Sequence, residues 1–184
     1  MEIISEATRR PIPALLDGEI DLGIVTERSA NPNLVFTPLF RDEMVVILAP
    51  DHPLARRPFI EARDFTGQRL LTYRVDPGEM AFYREVLEPE GVRPQRIVQM
   101  ELTEGIIELV RGGMGMSVLA RWAVSQYLAT GDLIALPLTA GGFHRDWFAA
   151  TLAKTHELPY VRDFISAIAR SPGVHRANLK VARA

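Results

Sequence analysis

The sequence predicts an α/β fold of two lobes with a cleft between them. Three observations carry this. Short apolar, β-branched runs alternate with amphipathic helical stretches along the chain, the pattern of open α/β sheets. One stretch, Glu101 to Tyr127, reads as helix, glycine turn, strand and helix in succession, one unit of an open α/β sheet. Two extended links, about residues 40 to 49 and 138 to 152, divide the alternating segments into two sets, as two crossing strands would. The expected division gives residues 1–40 and 144–184 to one lobe and residues 41–143 to the other.

Taken in order, Met1 to Ile4 reads as a strand, followed by a polar loop to Arg10. Pro11 suits the first turn of a helix, where its missing N–H would have no intrahelical partner. Ala14, Leu15 and Leu16 continue that helix and Asp17-Gly18 ends it. Ile20 to Val25 is the next strand, with a polar loop from Thr26 to Asn33. Leu34 to Phe40 is extended. Met44 to Ala49, Met-Val-Val-Ile-Leu-Ala, is a central strand by composition. Pro50-Asp51-His52-Pro53 breaks it. Phe59 to Phe65 carries a short helical turn, Arg69 to Tyr73 a strand, and Val75 to Glu79 a loop around Pro77-Gly78.

Met80 to Glu88 is helical, with Phe82, Tyr83, Val86 and Leu87 on its apolar face, and Gly91 to Pro94 ends it. Ile97 to Met100 is a strand. Thr103 is placed to cap the following helix through its hydroxyl. Glu104 sits in the first turn, where the helix dipole favours an acid. Ile106, Ile107, Leu109 and Val110 make the apolar face, and Arg111 with Gly112-Gly113 is a helix stop. Met114 to Leu119 reads as a buried strand, and a second helix opens near Arg121. Leu133 to Leu138 and Trp147 to Ala153 are strands on either side of a glycine-bearing loop, Thr139 to His144. Pro159 to Arg170 is the last helix, with Val161, Phe164, Ile165 and Ile168 on one side. The basic tail from Ser171 is expected to fray.

The totals narrow the function. At 184 residues, 47% apolar and 24% charged, the chain is sized for one large or two small globular domains. A net charge of −2 gives no electrostatic case for nucleic-acid binding by this chain. The absence of cysteine excludes disulfides, thiolate metal sites and cysteine nucleophiles. No signal peptide opens the chain and no apolar run approaches membrane-spanning length, so a cytoplasmic protein without a membrane partner is expected.

No reactive constellation stands out. His52, His144, His156 and His175 are scattered, and none pairs with another at metal-ligand spacing. Ser117 lies in Gly-Met-Ser-Val, which is not a nucleophile elbow. Arg111-Gly-Gly-Met-Gly follows a helix rather than a strand, so it reads as a helix stop and not as a dinucleotide loop. Asp42-Glu43 and Glu101 with Glu104 imitate acid/base pairs, but charges on exposed turns are the commoner cause. The expectation is a non-enzyme, with no catalytic residue, no metal and no cofactor.

Three stretches occur in a telling order and spacing. They are Leu16-Asp-Gly-Glu-Ile-Asp-Leu-Gly-Ile24, Pro38-Leu-Phe-Arg-Asp-Glu-Met-Val-Val-Ile-Leu-Ala-Pro-Asp-His-Pro-Leu-Ala55 and Glu108-Leu-Val-Arg-Gly-Gly-Met-Gly-Met-Ser-Val-Leu119. Together they resemble the effector-binding domain of LysR-type transcriptional regulators, over nearly the whole chain. The run from Leu71 through Trp122-Ala-Val124 looks most like the branch controlling methionine biosynthesis, whose effector is homocysteine.

The resemblance implies a fold like that of type II periplasmic binding proteins, two Rossmann-like α/β lobes holding a small molecule. It also implies a homodimer that becomes a tetramer in the full-length regulator, and DNA binding through a separate helix-turn-helix domain. The chain departs from the family pattern at its front. Met1 already corresponds to the family's second strand, so the helix-turn-helix domain and the first strand and helix of the sensor are expected to be absent.

Pocket positions carry over from the family one at a time. Thr8 matches a hydroxyl position after the second strand. Thr26 matches a pocket position at the end of the Asp-Leu-Gly-Ile strand. Gly78 and Glu79 match a loop of the second lobe that closes on the effector. Thr103 matches a helix start facing the cleft. Such hydroxyls, amides and a helix N-terminus suit a carboxylate, and Glu79 or Glu101 would balance an effector ammonium. The residues alone leave two readings of Thr103 open, an ordinary helix cap or the edge of a pocket. The alternative function is a free-standing solute-binding protein or a small enzyme on the same fold. The first would need an export signal and the second a reactive constellation.

Overall fold

A computed structural model describes residues 10–170, and Thr8 and the expected strand at Met1 to Ile4 lie outside them. The chain divides into two compact units, with the division falling between Asp42 and Glu43 and again between His144 and Arg145. Two strands run through it, β2 (Leu34–Leu48) and β7 (Phe143–Leu152).

The first unit holds helix α1 (Pro11–Leu16), strand β1 (Leu22–Val25), the leading part of β2, the trailing part of β7 and helix α4 (Pro159–Ala169). Pro11 opens α1, as its fixed φ favours, and Gly18 at φ +74 turns the chain away after Asp17. β1 pairs antiparallel with β7, from Leu22 opposite Thr151 to Val25 opposite Phe148. Successive residues of a strand face opposite sides. Ala150 accordingly packs with Leu15, Val25 and Leu34 beneath α1, and its neighbour Ala149 with Leu39, Val161 and Ile165 beneath α4.

The second unit holds the trailing part of β2 together with β3 (Arg69–Tyr73), β4 (Arg96–Met100), α2 (Thr103–Arg111), β5 (Ser117–Ala120), α3 (Arg121–Leu128) and β6 (Ile134–Pro137). β2 is flanked antiparallel by β5 and β6. Val45, Val46, Ile47 and Leu48 are wholly buried. They alternate in the expected way. Val45 and Ile47 pack with Ile106, Ile107, Val110 and Val124 of the two helices, and Val46 and Leu48 with Phe65, Phe82 and Leu87 on the other face. At about 1.5–3 kcal/mol for each such side chain taken from water, this short run contributes to both faces of the unit's core. β3 and β4 form a parallel pair, which Met116 joins to β5 through Leu71 N–H to Met116 O at 2.8 Å and Met116 N–H to Arg69 O at 3.0 Å. Gly115 permits that join, because a Cβ there would stand 2.5 Å from the carbonyl oxygen of Arg69.

Three expectations are corrected. The sequence reading breaks residues 34 to 49 into two extended pieces, whereas β2 is one strand from Leu34 to Leu48. The charged pair Asp42-Glu43 does not lie on an exposed turn but within β2. Asp42 is buried and receives Arg145 through both Nε (3.1 Å) and Nη2 (2.6 Å), and Glu43 receives Arg121 Nε at 2.6 Å. Arg145 also lies over the Trp147 ring, 5.0 Å from its centroid, and that ring stacks on Phe40. For the same reason β7 begins at Phe143 rather than Trp147. Finally, the stretch from Met80 is helical but not one α-helix. It passes into a π-turn at Tyr83–Leu87 and a 3₁₀ turn at Glu88–Glu90, stopped by Gly91 at φ +64.

Candidate functional site

Because β3 and β4 are parallel, their carboxyl ends lie side by side, with Tyr73 opposite Met100 at the last register position. Open α/β sheets take their ligands outside such strand ends, where helices begin with unpaired amides. β3 leaves into the turn at Pro77–Glu79, and β4 leaves into α2. Tyr73 lies two residues beyond Leu71 and so on the same face of β3, the face that packs under α2. Its phenol oxygen meets the Thr103 hydroxyl at 2.7 Å.

This contact corrects the reading of Thr103 as the cap of α2. The N-cap residue is Leu102, in extended backbone at φ −111, ψ 136, and no side chain caps the helix. Thr103 is already inside the first turn, so its hydroxyl is turned towards the phenol and not back onto the amides. The first turn of α2 thus has free donor capacity, a positive dipole end and a hydroxyl pair beside it. Leu102 is 67% exposed, an apolar side chain where Ser, Thr, Asn or Asp would ordinarily serve.

Other side chains border the same strand ends. Gln99 on β4 donates from Nε2 to the Val75 carbonyl at 2.9 Å, tying β4 to the segment that follows β3. Arg74 and Glu101 stand 3.5 Å apart, both largely exposed. Asp76 caps the next turn by accepting from Gly78 N–H at 2.8 Å, and Glu79 N–H bonds the Asp76 carbonyl at 2.9 Å. The amides of Gly78 and Glu79 are therefore spent within the turn, whereas the Glu79 side chain is exposed.

The structure thus places Thr103, Gly78 and Glu79 on segments that leave the paired ends of β3 and β4. Thr26 follows directly on β1, half-buried, in the first unit. Thr8 lies outside the described residues. Tyr73 is the residue that sequence reasoning missed. Its signal was its parity with Leu71, which turns it towards whatever helix follows the neighbouring strand. Elsewhere, His156 Nδ1 lies 3.0 Å from the Thr151 hydroxyl, a local tie between β7 and the approach to α4. Among the described residues, no group of His, Asp and Glu is placed to hold a metal ion, and no helix is long and apolar enough to cross a membrane.

Comparison with known proteins agrees with this architecture. The family model of the LysR substrate binding domain matches residues 1–172. The HTH-type transcriptional regulator MetR of Haemophilus influenzae is 33% identical over 168 residues, covering 91% of this chain and 54% of that protein. MetR of Escherichia coli K12 is 32% identical over 165 residues, covering 90% of this chain and 51% of that one. The chain therefore spans about half the length of these curated relatives. The regulatory domain of MetR, a LysR family regulator from N. meningitidis, superposes with a TM-score of 0.82 at 36% identity, covering 86% of this chain and 73% of that one. With a family match over nearly its whole length and relatives of the same kind in sequence and structure, this chain belongs to the LysR substrate-binding domain family, whose fold is that of the type II periplasmic binding proteins.

Proposed function

We propose that this chain is the effector-sensing and self-associating part of a bacterial LysR-type transcription regulator, carrying out no reaction of its own. Its two units are then the two lobes of the sensor, and the protein works in the cytoplasm beside the genome. Within the whole regulator, DNA binding falls to a separate helix-turn-helix domain, and the effector controls it by binding here. The relatives are named as transcriptional regulators, which favours this reading over a free-standing solute-binding protein or an enzyme.

The observation that carries the ligand chemistry is the uncapped first turn of α2 beside the Tyr73–Thr103 hydroxyl pair. The 2.7 Å contact lets either hydroxyl donate; with the phenol, the more acidic of the two, as donor, the Thr103 proton is available to a ligand. That proton, the amides of the turn and the dipole end favour an anionic group such as a carboxylate. Glu101 and Glu79, both exposed, supply negative charge for an ammonium. A small amino acid fits both requirements, and homocysteine is the member of that class the methionine branch points to. The family resemblance adds Thr26 and Thr8 as further proposed effector-binding positions.

Calorimetry on the full-length regulator with homocysteine and related amino and carboxylic acids tests this. Thr103→Val keeps the side-chain size and removes the hydroxyl. Losing one hydrogen bond to a charged group should weaken binding by about 1.5–3 kcal/mol, roughly ten- to a hundredfold. A variant that binds as tightly as its parent removes Thr103 from the site.

A further inference from the structure

We draw no further inference here: the strongest candidate, the Tyr73–Thr103 hydroxyl pair where β3 ends beside the first turn of α2, belongs to the site already described.

Discussion

Asp42 shows how far a single residue can depart from its local context. A carboxylate in the middle of a strand is costly unless charge and hydrogen bonds meet it. Here Arg145 supplies two bonds from β7, and the guanidinium itself lies over the Trp147 ring. Arg145→Ala would strip a buried carboxylate of its guanidinium. Breaking such a pair from one side costs more than the pair is worth as a whole, on the order of 3 kcal/mol. Chemical denaturation should show the midpoint falling by that equivalent, and an unchanged midpoint would mean that Asp42 is adequately solvated without Arg145. The partner is 103 residues away, which is why Asp42-Glu43 reads in the sequence as charges on an exposed turn. The Tyr73–Thr103 contact, at a separation of 30, is hidden for the same reason. Sequence patterns register spacing along one element and do not register what a neighbouring strand brings opposite.

Elements whose boundaries depend on local chemistry are legible. α1 runs from its proline to the residue before Asp17, and β3 spans Arg69–Tyr73, both as expected. The alternation of Val45, Val46, Ile47 and Leu48 between two cores follows from their apolar run alone. Where a charged residue is neutralised from another strand, as in β2 and β7, the expected boundary falls short. α2 adds a different case, a helix left without its ordinary start signal. Leu102→Ser would give the first turn a side-chain acceptor. A good N-cap contributes about 0.5–2 kcal/mol relative to a side chain that cannot cap. For a domain of this size each kcal/mol corresponds to roughly 2–4 °C in melting temperature. The expected outcome is a more stable protein with weaker effector affinity, since the serine oxygen would occupy donors that the proposed site offers to the ligand. Thermal melts and calorimetry on the same variant check both halves. A stabilised variant with undiminished affinity would separate the uncapped turn from the site.

At the scale of the whole molecule, two outcomes follow from the proposed role. The isolated chain, with a net charge of −2, should give no specific, salt-sensitive shift of a promoter fragment. It should also self-associate. Light scattering at about tens of micromolar, a range in which weak protein interfaces are populated, should report a mass above that of a monomer. A purely monomeric profile would count against the self-associating role proposed for this chain. Both experiments are insensitive to the identity of the effector, so they test the assignment of the chain to a regulator apart from the assignment of its ligand.

The two tryptophans fall one to each unit. Trp147 stacks on Phe40 and has the Arg145 guanidinium over its ring, with its indole nitrogen buried, whereas Trp122 on α3 is 47% exposed. Indole emission moves to the blue in an apolar setting and to the red in water, and a cation over the ring alters its yield. The native emission is therefore expected to combine two contributions, a bluer one from Trp147 and a redder one from Trp122. Replacing either tryptophan by phenylalanine leaves a protein that reports optically on the other half alone, with no dye attached.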